Sequence, residues 1–553
     1  MEAVIGKISA TEKNPSTIDE FYFWTKAGCK LGPFDVVKVP HLDNSVTFGV
    51  IESISHVTDS ANYLSSFISS DFGSVEPNSE GNTDRLAFNY IKARVVGNSK
   101  DIYTPVQHGK NVSTCNIEDI QSALGLGPKN VKNPLRCGYL EMYGEKVPVD
   151  INANFLVGPD GAHLNISGIS GLACKTSYCM FLLNALQQKY DKMADSDENK
   201  KSIAFVIFNI KGQDLLSIDT PAELKDDDKK VYKELEMEIK PFSNVRFFYP
   251  YSDNVANHNI QSFGNWTETV QLQQAKNKMK IFKYTCKSCI DNLDYFFAGE
   301  DDATGTMESI VSYISNERPP FGNIQSWHTF KNKLKEVLEN KETCQKTGIL
   351  LASWKKFNRI IEKVLSDKVF ADNVADERFE TVLSEEVKKI RPNEVAVIDI
   401  AKLDEKSQAF VFGDVMETLH EMMSAKSIEG MPDKIVVFVD ELNKYASTDT
   451  PKSSPILRQL LEITERGRSL GLILFSVEQF RSAIHDRVKG NCATSAYGRS
   501  NFVEVGKSDY RYVGDTYRSM MTRLSPGEYI IQNPALRSLI KIKFPRPPYK
   551  ENK

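Results

Sequence analysis

The sequence lacks any apolar run long enough to cross a bilayer. Its most apolar stretches are residues 203–210, 435–439 and 471–477, and each is far shorter than the ~20 residues that a membrane-spanning helix needs. The N-terminal stretch MEAVIGKISATEKN has no basic region followed by an apolar one, so it does not predict a secretory signal. These absences argue against a membrane protein and predict a cytoplasmic one.

A strong excess of charge of either sign is also lacking, since the formal net charge is -4. No global positive field therefore points to nucleic acid, although a local basic pore is compatible with a nearly neutral total. Hydrophobic residues make up 41% of the chain and charged residues 26%, as in an ordinary globular protein. The 553 residues are enough for about two to four domains.

Cysteine and histidine are scarce, at nine and eight residues. An odd number of scattered cysteines fits reduced thiols better than a disulfide framework. The sequence contains a single CxxC, Cys286-Lys-Ser-Cys289. Because structural zinc takes four ligands and no second pair lies nearby, packing is the favoured interpretation and metal binding the other. No Ser/His/Asp or Cys/His set for nucleophilic catalysis stands out.

The first 146 residues have the pattern of short strands. Segments 3–8, 19–24, 35–39, 48–54 and 86–96 are rich in Val, Ile and aromatic residues, and turn residues separate them. Several short strands at this spacing predict a small barrel or a sandwich. Residues 59–82, rich in Ser, Asn, Asp and Gly, are expected to form a long surface loop within it.

From residue 147 onward, apolar strands alternate with helical segments. The predicted strands are 164–167, 203–209, 395–400, 435–439 and 472–476, and the predicted helices include 177–189, 408–425 and 454–470. Continuous apolar strands are typical of a parallel sheet covered on both faces. The pattern therefore predicts an α/β core formed by residues 147–220 and 393–535.

Two segments lie outside this alternation. Residues 221–392 are charged, helix-forming in composition and poor in strand signals, so they predict a mainly helical insertion whose run at 225–240 is a solvated face. Residues 536–553 are expected to form a C-terminal strand, at 540–544, and an extended proline-rich tail.

A candidate phosphate-binding loop lies between the first core strand and the following helix. It reads Gly168-Ile-Ser-Gly-Leu-Ala-Cys-Lys-Thr-Ser177. Small residues let backbone N–H groups point at phosphate oxygens, a helix N-terminus favours anions, and the Lys-Thr pair reaches the β/γ-phosphates and Mg²⁺. The predicted nucleotide-binding residues are Gly168, Ser170, Gly171, Leu172, Ala173, Cys174, Lys175, Thr176 and Ser177.

The match to G-x-x-x-x-G-K-[ST] is imperfect. Cys174 stands where a glycine should precede Lys175, and Gly168 lies one residue too far upstream. A small-residue strand–helix turn without phosphate is the alternative interpretation, which the surrounding α/β pattern disfavours.

A second motif ends the predicted strand at 435–439 with Asp440 and Glu441. In phosphoryl-transfer enzymes such an aspartate holds Mg²⁺ and such a glutamate activates water. Gln479, after the next strand, is placed to orient water or sense the γ-phosphate. Arg466 and Arg468 lie near a predicted helix end, where a neighbouring subunit could present either to the phosphate; a surface charge is the alternative for each.

In these motifs the sequence resembles the HerA/FtsK group of ATPases, and HerA-like proteins in particular. The resemblance rests on Val147-Pro-Val-Asp and His163-Leu-Asn-Ile-Ser-Gly168, on Phe438-Val-Asp-Glu441, on Glu465-Arg-Gly-Arg-Ser-Leu-Gly471 through Gln479, and on Ser525-Pro-Gly-Glu-Tyr with Phe544-Pro-Arg-Pro-Pro548. It covers the core well, the first domain weakly and the insertion loosely. One departure is Asn209, where the family often has an aspartate.

This resemblance implies a RecA-like P-loop core with a mainly parallel sheet, a HerA-type N-terminal β-barrel and a hexameric ring. It also implies ATP and Mg²⁺ as cofactors, translocation of double-stranded DNA or helicase activity, and a nuclease or sirtuin-like effector, in some cases within a bacterial defence system. The alternative function is a nucleotide-stabilised scaffold that regulates an effector with slow ATP turnover.

Overall fold

The computed structural model describes residues 3–60, 62–65, 86–127, 131–171, 173–193, 201–302, 304–425 and 429–552. Its N-terminal part is a closed antiparallel barrel with the strand order β1-β2-β5-β4-β3-β6. These strands are β1 Val4–Ile8, β2 Glu20–Lys26, β3 Val36–Pro40, β4 Val46–Thr58, β5 Ala87–Asn98 and β6 Asn111–Thr114. The barrel, rather than the sandwich, is thus the correct alternative. Most of the loop predicted at 59–82 lies outside the described residues.

Alternation of apolar and polar residues explains how these strands close around a core. In β2, Phe21, Phe23 and Thr25 are buried, whereas the side chains between them are more exposed. Phe21 and Phe23 pack with buried residues of β3, β4 and β5, among them Val37 and Ile51. A period of two places one face of each strand inside the barrel.

The second sheet joins thirteen strands of the described residues in the order β13-β12-β11-β14-β10-β15-β16-β9-β17-β18-β19-β7-β8. Its strands are β7 Pro134–Met142, β8 Glu145–Asn152, β9 Leu164–Ser167, β10 Ile203–Asn209, β11 Val245–Pro250, β12 Met279–Lys283, β13 Glu380–Val382, β14 Val395–Asp399, β15 Lys434–Asp440, β16 Leu472–Glu478, β17 Thr494–Tyr497, β18 Glu528–Gln532 and β19 Ile540–Lys543. Pairing is parallel from β13 to β17 and antiparallel from β17 to β8.

The central strands β10-β15-β16-β9-β17 have the order of a RecA-like core, in which one strand separates the loop-bearing β9 from the acidic β15. All seven residues of β10 and all seven of β16 are buried, as expected for strands covered by helices on both faces. The α-helices of the described chain are Ile117–Leu124, Asn154–Val157, Lys175–Lys192, Asp226–Glu234, Glu268–Ala275, Cys286–Cys289, Thr306–Ser315, Trp327–Glu339, Lys341–Lys346, Leu351–Val364, Leu383–Val387, Glu405–Ala425, Pro455–Leu470, Asp486–Asn491, Phe502–Val505 and Asp515–Met521.

The segment 221–392 contains many of these helices, and it also contributes β11, β12 and β13 to one side of the sheet. The three strands are short, and β11 and β12 carry Arg246, Lys280 and Lys283. These charged residues weaken the strand signal of β11 and β12. β11 pairs with β14, β12 with β11 and β13 with β12, so pairing within the sheet determines their conformation. The helices of the segment surround Trp354, which is fully buried among Tyr313, Phe321 and Phe357.

At the other side of the sheet, β18 and β19 follow the predicted C-terminal pattern, and the chain after residue 544 runs back across the core. Tyr549 is 1% exposed, contacts Phe242 and forms an isolated bridge with Pro221. The predicted extended tail is therefore packed against the core. No helix within the described ranges is long and apolar enough to cross a membrane, and all nine cysteines, each in a described range, are free thiols.

Candidate functional site

The predicted motifs meet where four neighbouring parallel strands end. Asp440 of β15 pairs with Val477 of β16, and Glu478 of β16 pairs with Ser167 of β9. β10 runs alongside β15 in the same direction. The carboxyl ends of parallel strands form a crevice at one edge of the sheet, which is where ligands bind in open α/β sheets.

The loop between β9 and the helix Lys175–Lys192 has the backbone geometry that its small residues allow. Gly168, with φ of 154°, has no room for a side chain, because a Cβ there would lie 2.7 Å from Ala173 Cβ. Gly171 has φ of 79°. Cys174 has φ of 49° and ψ of 39°, the left-handed conformation that glycine adopts most readily. The missing glycine of the motif is therefore a change of residue type at a position whose conformation is retained.

The loop presents some of its predicted residues to a cavity and buries others. Ser170, Gly171, Cys174, Lys175, Thr176 and Ser177 line a cavity of about 350 Å³ together with Lys211, Asp214, Leu215, Asp440, Glu441, Gln479, Tyr549 and Glu551. Ala173 is 1% exposed beneath the loop, and its carbonyl accepts a hydrogen bond from Tyr529 Oη. Leu172 lies outside the described residues.

Lys175, Thr176 and Asp440 are close together at the base of this cavity. Thr176 Oγ1 donates to Asp440 Oδ2 at 3.2 Å, and Lys175 Nζ donates to Ser170 Oγ at 3.3 Å. Burial lowers the pKa of Lys175, and the charge of Asp440 opposes that effect. Within the described ranges Lys175 forms no ion pair, and its hydrogen bond goes to the uncharged Ser170. A buried ammonium group in this situation favours an anion such as phosphate.

The same residues fit a magnesium ion. The buried Asp440 Oδ1 has no hydrogen-bond partner among the residues that the structure describes, so it is available to a metal or to metal-bound water. No cluster of three or more His, Cys, Asp or Glu in the described part of the chain has a metal-binding arrangement. One hydroxyl, one carboxylate and substrate phosphates are the ligands that Mg²⁺ usually takes in such sites.

Glu441 lies beside Asp440 and forms ion pairs with two lysines, Lys211 and Lys444, that no sequence motif indicates. Lys211 Nζ lies 2.7 Å from Glu441 Oε1 and 3.3 Å from Asp440 Oδ2, and Lys444 Nζ lies 3.2 Å from Glu441 Oε2. Burial raises the pKa of Glu441, but hydrogen bonding and charge from Lys211 and Lys444 outweigh burial and hold the pKa below its usual value. Lys211 follows β10 by two residues, and its position in the sequence alone gave no reason to select it.

Gln479 lines the cavity, and its neighbour Glu478 is a further residue near the site that no sequence motif indicates. Glu478 is fully buried, accepts a hydrogen bond from Asn165 and lies near Lys175. Burial raises the pKa of Glu478 to about 8. Glu478 is the last residue of β16 and is fully buried, whereas Gln479 follows the strand and lines the cavity.

The C-terminal tail forms one wall of the cavity. Ser177 Oγ donates to Glu551 Oε1 at 2.5 Å, and Asn552 Nδ2 donates to Ser217 Oγ at 2.6 Å. The sequence predicts an extended tail but no contact with the site, because nothing in Pro545-Arg-Pro-Pro-Tyr549 indicates what the segment packs against.

Arg466 and Arg468 are not among the residues that line this cavity. Arg466 is exposed, and its Nη1 lies 3.6 Å from Glu462 Oε1 on the same helix. Arg468 Nη1 donates to the carbonyl of Asp160 at 3.3 Å. Within one chain, the structure therefore does not bring either arginine to the phosphate loop.

No protein-family model and no curated protein sequence matches the chain. Among solved structures, it is similar to the bacterial conjugative coupling protein TrwB, with 11% identity, 69% of this chain and 84% of that chain covered, and a TM-score of 0.37. It is also similar to VirB4 of Thermoanaerobacter pseudethanolicus, with 11% identity, 74% of this chain and 96% of that chain covered, and a TM-score of 0.40.

A third similar structure is the genome packaging NTPase B204 from Sulfolobus turreted icosahedral virus 2 in complex with ATP-gammaS. Its identity is 16%, with 29% of this chain and 71% of that chain covered and a TM-score of 0.23. All three TM-scores lie below one half, so the RecA-like assignment rests on the strand order of the chain itself.

Proposed function

We propose that this protein is a P-loop ATPase that hydrolyses ATP in the cavity between its phosphate loop and Asp440. The observation that carries the proposal is that Lys175, Thr176, Asp440 and Glu441 line one cavity. Thr176 and Asp440 are 264 positions apart in the sequence, so the fold brings the two pairs together. Each of the four has the chemistry that phosphoryl transfer requires.

The roles follow from the groups present. Lys175 binds the β- and γ-phosphates with the backbone N–H groups of the loop, and Thr176 and Asp440 hold the magnesium ion. When bound, magnesium neutralises charge on the phosphate oxygens. Glu441 accepts a proton from the attacking water, and Gln479 orients that water or contacts the γ-phosphate.

The test is nucleotide binding and turnover in matched variants. Lys175→Ala is expected to abolish binding of ATP, whereas Glu441→Gln is expected to bind ATP and to lose turnover, because it keeps the shape of the side chain and removes the base. Lys341→Ala, on a helix of the 221–392 segment whose residues do not line the cavity, serves as a control. Full ATPase activity of Lys175→Ala would refute the assignment.

We further propose that the chain acts as a HerA-like ring, as its motifs suggest, with Arg466 or Arg468 acting on the phosphate of a neighbouring subunit. Both arginines have exposed or carbonyl-bound guanidinium groups outside the cavity of their own chain. Double-stranded DNA and an effector protein are the proposed partners. The test is to measure the particle mass and the ATPase rate with and without duplex DNA. A ring-sized particle whose ATPase rate rises with DNA would be a motor.

One observation favours the alternative of a nucleotide-stabilised scaffold with slow turnover. Both carboxylate oxygens of Glu441 are engaged by lysines, so the proposed base is not free in this conformation. A ring that assembles with its effector equally well when Glu441 is replaced by Gln, and whose ATPase rate does not respond to DNA, would support the scaffold.

A further inference from the structure

Lys211 lies between the two acidic residues of the site and faces the cavity. Its ammonium group is 2.7 Å from Glu441 Oε1 and 3.3 Å from Asp440 Oδ2, and its side chain is 40% exposed. It comes from the segment after β10, whereas Lys175 comes from the loop after β9, and both line the same cavity. The cavity therefore has one lysine on the phosphate loop and a second on the side of the acidic residues.

The contacts of Lys211 restrict Glu441 in a specific way. A carboxylate that accepts a proton from water needs a lone pair directed at that water, and a lysine bound to the same oxygen competes with the water for its lone pairs. Glu441 has one oxygen on Lys211 and the other on Lys444. Its backbone also has φ of 54°, a left-handed conformation that persists in a non-glycine residue only where its surroundings hold it.

The terminal phosphate of ATP is the strongest competitor for Lys211 that this cavity can receive. It carries more charge than a carboxylate and several acceptor oxygens, and hydrogen bonds between charged groups are about twice as strong as neutral ones. Lysine is a flexible point charge, which suits it to exchange partners. ADP has no γ-phosphate and offers no such competition at this end of the site.

We propose that Lys211 is a γ-phosphate sensor, which holds Glu441 when the γ-phosphate is absent and releases it by binding that phosphate. This inference rests on the proposed ATPase function and adds a residue to it. It makes discrimination between ATP and ADP depend on a side chain outside the phosphate loop. It also explains why the half-buried carboxylate of Glu441 is paired with a lysine whose side chain is 40% exposed.

A fixed ion pair is the competing explanation, and the two differ in a measurable way. If Lys211 only stabilises Asp440 and Glu441, its removal weakens the fold and leaves the relative affinities of the two nucleotides as they were. If it binds the γ-phosphate, its removal lowers the affinity for ATP and leaves the affinity for ADP nearly unchanged.

The experiment compares the dissociation constants of ADP and of a non-hydrolysable ATP analogue, each with magnesium, by calorimetry on the full chain. Lys211→Ala is expected to reduce the preference for the ATP analogue over ADP by about tenfold, the size of one charged hydrogen bond less the ion pairs lost. Lys211→Arg, which keeps the charge, is expected to retain most of the preference.

Lys444→Ala is the matched control, because Lys444 also contacts Glu441 but lies against a different cavity. It is expected to leave the ratio of the two affinities as in wild type. An unchanged ratio in Lys211→Ala, with ADP still bound, would overturn the sensor. A wild-type protein that binds neither nucleotide would instead overturn the proposed ATPase function, so the two failures are distinguishable.

Discussion

Cys174 occupies a backbone conformation that a glycine would occupy at lower energy. Its φ of 49° and ψ of 39° are left-handed, which costs a residue with a side chain roughly 1–2 kcal/mol. Glycine loses about 0.5–1 kcal/mol more chain entropy on folding. The difference predicts that Cys174→Gly raises the free energy of unfolding by about 0.5–1 kcal/mol.

The assay is equilibrium urea unfolding of wild type, Cys174→Gly and Cys174→Ala. The alanine variant removes the thiol and keeps the Cβ, so it should not share the gain. Gly171→Ala provides the reciprocal test: its φ is 79° and a Cβ there would meet nothing within 4 Å, so any loss of stability comes from the backbone alone. Nucleotide affinity of Cys174→Gly should remain that of wild type, because the loop already has the required shape.

Two results would refute this reasoning. Equal stability of the glycine and alanine variants would mean that the left-handed backbone at Cys174 costs no more than the chain entropy that glycine loses on folding. A large increase in nucleotide affinity with glycine would mean that the loop of the wild-type protein adopts its binding conformation only when nucleotide is present.

Three further predictions follow from buried groups. Burial raises the pKa of Glu478 to about 8, so above pH ~4.5 the folded protein keeps a proton that the unfolded chain has released, and the free energy of unfolding falls as pH rises towards 8. In urea unfolding between pH 6 and 8, Glu478→Gln should remove a dependence of up to about 1.4 kcal/mol per pH unit. Trp354→Ala should cost about 3–5 kcal/mol, since the ring is fully buried, and a loss below 1 kcal/mol by the same assay would contradict its role as a core residue. Glu380→Ala should cost about 3–5 kcal/mol because it removes the carboxylate 2.6 Å from the buried Lys283 and leaves that charge with the uncharged carbonyl of Asn373. The double change Lys283→Met with Glu380→Leu should cost far less; equal losses in urea unfolding would contradict this.

The strands of the core were predictable because burial on both faces leaves a continuous apolar sequence. Predicted segments 164–167 and 203–209 coincide with β9 and β10. β11, β12 and β13 were not predicted: β11 and β12 contain lysine or arginine, β13 has three residues, and all three lie on one side of the sheet rather than at its centre. Pairing with an existing strand, which is a tertiary interaction, fixes such segments.

The site was predictable where a motif carries its chemistry in adjacent residues, as in Lys175-Thr176 and Asp440-Glu441. Lys211 and Glu551 reach the same cavity from segments with no motif of their own, so only the fold reveals them. Gln479 was selected because it is the polar residue that follows the strand next to the acidic one. Glu478, one residue earlier, is fully buried and bound to Asn165, which its position in the sequence does not indicate.

The strand order of the sheet also has a consequence for synthesis on the ribosome. Both neighbours of β9, the strands β16 and β17, lie far downstream; Asn165 and Ser476, which are hydrogen-bonded, are 311 positions apart. At roughly 5–20 residues per second, that distance takes roughly 15–60 s to translate. The barrel strands end at residue 114, so a nascent chain stalled before residue 472 contains all the barrel strands and the phosphate loop, but neither of the strands that pair with β9. During that interval the apolar β9 lacks both partners, and it is the segment that a ribosome-associated chaperone would be expected to cover.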